Sequence, residues 1–243
     1  MRLRNPFNRA IFLPAIVCLL CTCGEGEDPQ GPDAGPDAGP DAGPVVEPEY
    51  PAGPYSRDPG SDEGTLTVAG EIIENLTFFG YPAGMDKNTP GGWQEIELND
   101  FFDPLGHKGP SQTQLKLLLI DFSAPWCVNC KAHAPWLDRQ CSHPTMIGAG
   151  LVCYTAIVQG YYNGAILETT QADVDTWRSD YQPNKGGAIV ALDNNAIWES
   201  FTETLPYVML VDPKDMKILK VLWGPTDDAL AREMYKYLHV TVD

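Results

Sequence analysis

Positive charge is scarce in this chain. Across 243 residues, 16 lysines and arginines stand against 33 aspartates and glutamates, a formal net charge of -17. From Gly64 onward the balance is 22 acidic to 12 basic residues, with no Lys/Arg cluster. Nucleic-acid binding rests on neutralising phosphates, so no nucleic-acid partner is expected. Long apolar runs are lacking too. The one near the N-terminus, Ala10 to Leu20 with Pro14 inside it, falls short of the about 20 apolar residues that cross a bilayer as a helix. Histidine is rare, with four in all. His107 and His239 carry no readable role, and His133 is expected on the solvent side of a helix.

What the N-terminus does have is order. Arg2, Arg4 and Arg9 form a basic head, the short apolar run follows, and small and cysteine residues come next. This is the pattern of a secretion signal, expected to cover residues 1–22. The run ends in "LLCTCGEGED", and a cysteine just after a signal core resembles the lipobox of bacterial lipoproteins. Cys23 is the expected lipidated residue, with Leu20 three before it; Thr22 stands where Gly, Ala or Ser is usual. Of seven cysteines, Cys18 and Cys21 leave with the signal. With Cys23 acylated, Cys127, Cys130, Cys141 and Cys153 remain, an even set. Three copies of Gly-Pro-Asp-Ala then run from Gly31 to Pro44. Their period is too short for a solenoid, and their composition buries no core. Residues 23–64 are read as a tether, similar to the spacers behind the lipid anchor of Gram-negative lipoproteins. The expected location is outside the cytoplasm, lipid-anchored to a bacterial membrane and facing the periplasm. A soluble periplasmic protein is the alternative.

Residues 65–243 suffice for one domain. Gly70 to Phe79 and Trp93 to Leu98 read as two strands of an N-terminal extension. "LKLLLIDF", Leu115 to Phe122, is nearly all apolar, as a strand buried on both faces is. The pattern continues with a helix from Val128 to Gln140 containing Pro135, a buried strand from Leu151 to Val158 and a helix from Gln171 to Tyr181. A strand at Ala188 to Leu192 and a short helix at Asn195 to Phe201 follow. Pro206 to Val211 and Lys217 to Trp223 are paired strands around "DPKD", and Asp227 to Leu238 is an amphipathic helix. This order predicts an α/β domain with a central mixed sheet flanked by helices and an N-terminal β extension.

Cys127 follows a buried strand and opens a helix, where free backbone N–H groups and the helix dipole favour a thiolate. The two-residue gap brings Cys130 round one turn. Cys127 is thus read as the nucleophile that attacks a disulfide, and Cys130 as the thiol that resolves the mixed disulfide. "LLLIDFSAPWCVNCKAHAPWLD" resembles the active-site stretch of thioredoxin-fold proteins. Trp126 precedes the first cysteine, Lys131 follows the second, Pro135 lies five beyond Cys130, and Asp121 lies six before Cys127. The resemblance implies that buried Asp121 passes protons to and from Cys130. It also implies a cis bond at Leu205-Pro206, facing the dithiol. It covers roughly Gly70 to Val240 and is closest to the TlpA/ResA-like, AhpC/TSA-related branch. That branch includes exported, membrane-tethered thiol-disulfide oxidoreductases. The implied partners are exported proteins carrying disulfides or dithiols, a membrane or periplasmic thiol that gives or takes electrons, and the membrane itself. No cofactor is implied. Two positions depart from the family: "LVCYTAIV" lacks the lysine of small thioredoxins, and Leu205 stands where threonine or valine is common.

Rival readings share these residues. A peroxiredoxin-like peroxidase needs Pro-x3-Thr-x2-Cys, but the slots before Cys127 hold Ile120 and Ala124. A zinc- or copper-handling module would use Cys127, Cys130, Cys141 and His143. A thioredoxin-fold binding module without redox chemistry is a third. Cys141 and Cys153 are read as a structural disulfide, with two buried free thiols as the alternative.

Overall fold

The structure, a computed structural model, describes residues 47–51, 69–158, 160–162, 165–192 and 204–241. The expected signal, Cys23, most of the tether and the helix expected at 195–201 lie outside the described residues. Within the segment read as tether, residues 47–51 lie against the domain. The Tyr50 hydroxyl donates to the Ile73 carbonyl at 2.7 Å, and the Tyr50 ring packs on Phe102 at 5.4 Å.

Seven strands form one mixed sheet in the order β2-β1-β7-β4-β3-β8-β9. They are β1 (Thr77–Tyr81), β2 (Gln94–Glu97), β3 (Leu117–Ser123), β4 (Leu151–Ile157), β7 (Ala188–Ala191), β8 (Tyr207–Asp212) and β9 (Lys217–Trp223). The strands β3, β4 and β7 run parallel. The strands β8 and β9 add antiparallel on one side, and β1 and β2 on the other. A separate pair, β5 (Gly160–Tyr162) and β6 (Ala165–Leu167), forms a small hairpin.

The helices are α1 (Val128–Ser142), α2 (Pro144–Gly148), α3 (Gln171–Tyr181) and α4 (Asp227–Leu238). All seven residues of β3 are buried, as its apolar run predicts for a central strand. Alternation then sorts its side chains. Leu118, Ile120 and Phe122 join a core with Val174 and Trp177 of α3. Leu117 and Leu119 join a second core with Leu137 of α1 and Leu230, Met234 and Leu238 of α4. Asp121 and Ser123 share the parity of Leu117 and Leu119, and so the face that α1 and α4 cover.

The α3 start is fixed by a capping box between Thr170 and Asp173, and Thr226 caps α4. At the far end of α1, Cys141 is disulfide-bonded to Cys153 of β4, with Cα atoms 5.9 Å apart. Closing so short a loop stabilises the fold by about 3 kcal/mol.

One expected strand is two segments. The chain at Gly70 to Ile73 bonds to the β8–β9 turn and to Ile218, whereas β1 begins at Thr77 and pairs with β2 and β7. The polar Glu74-Asn75 pair separates them. The Asn75 side chain accepts from the Asn99 backbone N–H at 2.9 Å.

Candidate active site

The strand β3 carries the chain to one end of the sheet. There Ala124 accepts a hydrogen bond from the Cys127 backbone N–H at 3.0 Å, closing the turn that starts α1. Cys127 is the N-cap: its backbone is extended, and its Sγ accepts from the Cys130 N–H at 3.1 Å. A sulfur held this way takes the place of the capping oxygen and sits at the positive end of the helix dipole. Cys127 and Cys130 are disulfide-bonded here, with Cα atoms 5.2 Å apart. Cys127 is 7% exposed and Cys130 is 0% exposed. Trp126 and Val128 on either side of Cys127 are exposed.

Register brings the second landmark to the same end. Phe122 of β3 faces Tyr207 of β8, so Pro206 stands beside the exit of β3, where the turn to Cys127 begins. The Leu205-Pro206 bond is cis. The Pro206 carbonyl accepts from the Gly224 N–H at 2.8 Å, which ties this corner to the end of β9.

Asp121 is wholly buried. Its Oδ2 accepts from the Ser123 hydroxyl at 2.8 Å, and its Oδ1 has no hydrogen-bond partner among the described residues. Burial pushes the carboxyl above its ordinary range, while the nearby His133 and the Ser123 hydroxyl pull the other way. A buried carboxyl with one unpaired oxygen and a raised pKa is suited to take and return a proton.

The structure corrects the expectation for His133, which is buried and not on the solvent side. In helical phase it stands about 60° to one side of Cys130, at the flank of the inward face. The start of α4 covers it, with Asp227 Oδ1 at 2.6 Å from His133 Nδ1. Periodicity along α1 could have placed it on that flank; the cover from α4 is a tertiary fact that no local pattern carries. Ser123 and Asp227 were likewise not singled out from the sequence. Another buried residue of α1, Asp138, accepts from the backbone N–H groups of Asn184 at 2.8 Å and Gly186 at 3.3 Å, fixing the loop after α3.

The four residues of the metal reading do not converge. Cys127 pairs with Cys130 and Cys141 with Cys153, and the His143 ring accepts from the Thr145 N–H at the start of α2. Among the described residues no group of three or more His, Cys, Asp or Glu side chains is placed to hold a metal ion.

A parallel β3-α1-β4 unit thus lies beside an antiparallel β8-β9-α4 unit. A cysteine pair opens α1, and a cis-proline opens β8. The fold is thioredoxin-like. No protein-family model and no curated protein matches the chain. Solved structures with the same general architecture include a thiol:disulfide interchange protein from Bacteroides sp., at 18% identity and a TM-score of 0.48, covering 72% of this chain and 93% of that one. A putative thiol:disulfide interchange protein DsbE from Chlorobium tepidum aligns at 14% identity and a TM-score of 0.49, over 71% of this chain and 99% of that one. The exposed lipoprotein thioredoxin of Streptococcus pneumoniae aligns at 19% identity and a TM-score of 0.45, over 67% and 99%. At these scores the likenesses say nothing of substrates or partners, and the thioredoxin-like assignment rests on the topology itself.

Proposed function

We propose that this chain is a thiol-disulfide oxidoreductase whose Cys127-Val-Asn-Cys130 pair works on exported protein substrates through a mixed disulfide. The observation that carries the reading is the asymmetry of the pair. One sulfur caps a helix start and keeps a small exposed edge, 7%; the other is fully buried one turn later, and the strand that leads into the pair carries the buried carboxyl of Asp121. An attacking thiolate and a shielded resolving thiol need those two environments. Exposed Trp126 lies beside the pair, and the cis-Pro206 corner stands at the same end of the sheet, where a substrate chain would lie.

The test is a trap. Cys130→Ser leaves the attacking sulfur and removes the resolving one, so mixed disulfides with exported proteins should accumulate and dissolve on adding a reductant. A binding module without redox chemistry would form none, and an empty trap contradicts the reading.

The domain is proposed to be exported and held to the membrane through lipid on Cys23, with residues 23–64 as its tether and residues 1–22 as the signal. The support is the lipobox-like "LLCTC" and the Gly-Pro-Asp-Ala repeat. Among the described residues no helix is long and apolar enough to cross a membrane. Since residues 47–51 lie on the domain, the part of the tether before them, about 24 residues at about 3.1 Å each, would reach about 75 Å when extended. Labelled palmitate should enter the wild-type protein and not Cys23→Ser. Absence of label in the wild type would leave a soluble exported protein with the same chemistry.

A further inference from the structure

Resolution of a mixed disulfide releases the Cys130 proton deep inside the domain, and the chemistry around Asp121 leads outward from there. His133 is 5% exposed. Its Nδ1 lies 2.6 Å from Asp227 Oδ1, and the Asp227 side chain, in the first turn of α4, is 43% exposed. A carboxylate oxygen accepts, so Nδ1 is the N–H of this pair, and in the tautomer that makes this bond with a single ring hydrogen Nε2 carries the lone pair. That Nε2 is buried and has no hydrogen-bond partner among the described residues. Neither has Asp121 Oδ1. A buried polar atom left unpaired costs about 1–3 kcal/mol, so two on elements packed against each other call for a reason. Two ionisable groups face the imidazole from those elements among the described residues: Asp121 of β3, near enough for the two charges to influence each other, and Asp227 of α4. On its own helix Trp136 packs beside it, ring centroids 5.4 Å apart.

We propose that His133 is a relay residue that carries the Cys130 proton from Asp121 to Asp227 and so to solvent. The proposal rests on the oxidoreductase reading and completes its resolving step. In that step the Cys130 S–H bond breaks and its electron pair attacks Cys127 Sγ. The Cys127–Cys130 bond forms, the Cys127–substrate S–S bond breaks, and the substrate leaves with two electrons as a thiolate. The proton passes from Cys130 to the Asp121 carboxylate. From there it moves to His133 Nε2, directly or through one bridging water, while the Nδ1 proton passes to Asp227 and bulk water. Imidazole is the side chain that can take a proton on one nitrogen and release one from the other. The opposite direction of exchange runs the same path inward.

The experiment mixes reduced protein with the aromatic disulfide of thionitrobenzoate and follows release of coloured thiolate by stopped flow from about pH 6 to about pH 9. The first equivalent reports attack by Cys127 and the second reports resolution by Cys130. With His133→Gln the second phase should be about tenfold slower near pH 6.5. It should converge on the wild-type rate toward about pH 9, where hydroxide can take up the proton in place of the relay. Asp227→Asn, at a half-exposed position that leaves the core intact, should slow the same phase about threefold with the same convergence. An unchanged second phase in both variants, or a slowing equal at every pH, overturns the relay. Absence of the first phase in the wild type overturns the oxidoreductase reading instead. If His133→Gln fails to fold, by circular dichroism, Asp227→Asn alone decides.

Discussion

Cys127→Ser is expected to lower kcat/KM for a disulfide-containing peptide by at least about 10⁴-fold, because a serine hydroxyl is not ionised near neutrality and cannot form the mixed disulfide. The same environment orders the two thiols of the reduced protein. Cys127 has the helix start and some exposure, and Cys130 has neither. Timed alkylation near pH 6, read by peptide mass, should label Cys127 about a hundredfold faster than Cys130. Faster labelling of Cys130 would reverse the roles. The Cys141–Cys153 bridge is buried at the other end of α1, so replacing both of its cysteines should leave this order unchanged.

Asp121→Asn is expected to move activity and stability in opposite directions. The folded-state pKa of Asp121 is raised, with burial the main cause. A group of this kind contributes its full stability below the unfolded carboxyl value near 4, and loses it as pH rises through the folded value. Above the folded value the ionised side chain is a buried charge whose Oδ1 has no hydrogen-bond partner among the described residues. An amide removes that charge. Asp121→Asn should therefore stabilise the domain by on the order of 2 kcal/mol at pH 8 and by nearly nothing at pH 4, measured by denaturant unfolding. Resolution of the mixed disulfide should meanwhile slow about tenfold near neutrality, since Cys130 loses its proton acceptor. A variant no more stable at pH 8 than at pH 4, with unchanged turnover, would remove Asp121 from both roles.

Legibility in the sequence followed the range of the forces involved. The helix at Gln171–Tyr181 and the helix at Asp227–Leu238 were readable to the residue, because capping residues and apolar spacing are local. The strand β3 was readable from its apolar run, and the dithiol from its position between that strand and a helix. The hairpin of β5 and β6 was passed over, although an Asn-Gly pair at 163–164 between two apolar runs is a hairpin signal. The first strand is expected too early because Ile72 and Ile73 continue its apolar character, whereas their backbone pairs with distant β9 and not with the partners of β1. His133 is expected on the solvent side of its helix, whereas a helix 94 residues later covers it and supplies its carboxylate. Asp138 and Arg178 were missed for the same reason. Arg178 is buried and donates to the carbonyls of Gly187, Tyr81 and Pro82, partners that meet only in the folded sheet.

The most direct measurement is a redox titration of the purified domain in glutathione and dithiothreitol buffers, with each cysteine's state read by alkylation and peptide mass. Cys127 and Cys130 should change state together, as a two-electron couple, at a midpoint between about -300 and about -100 mV. A midpoint near about -270 mV marks a thioredoxin-like reductant, and one near about -120 mV an oxidant. A pair that stays in one state across that span, or a transition that maps to Cys141 and Cys153 instead, would contradict a working dithiol at the start of α1.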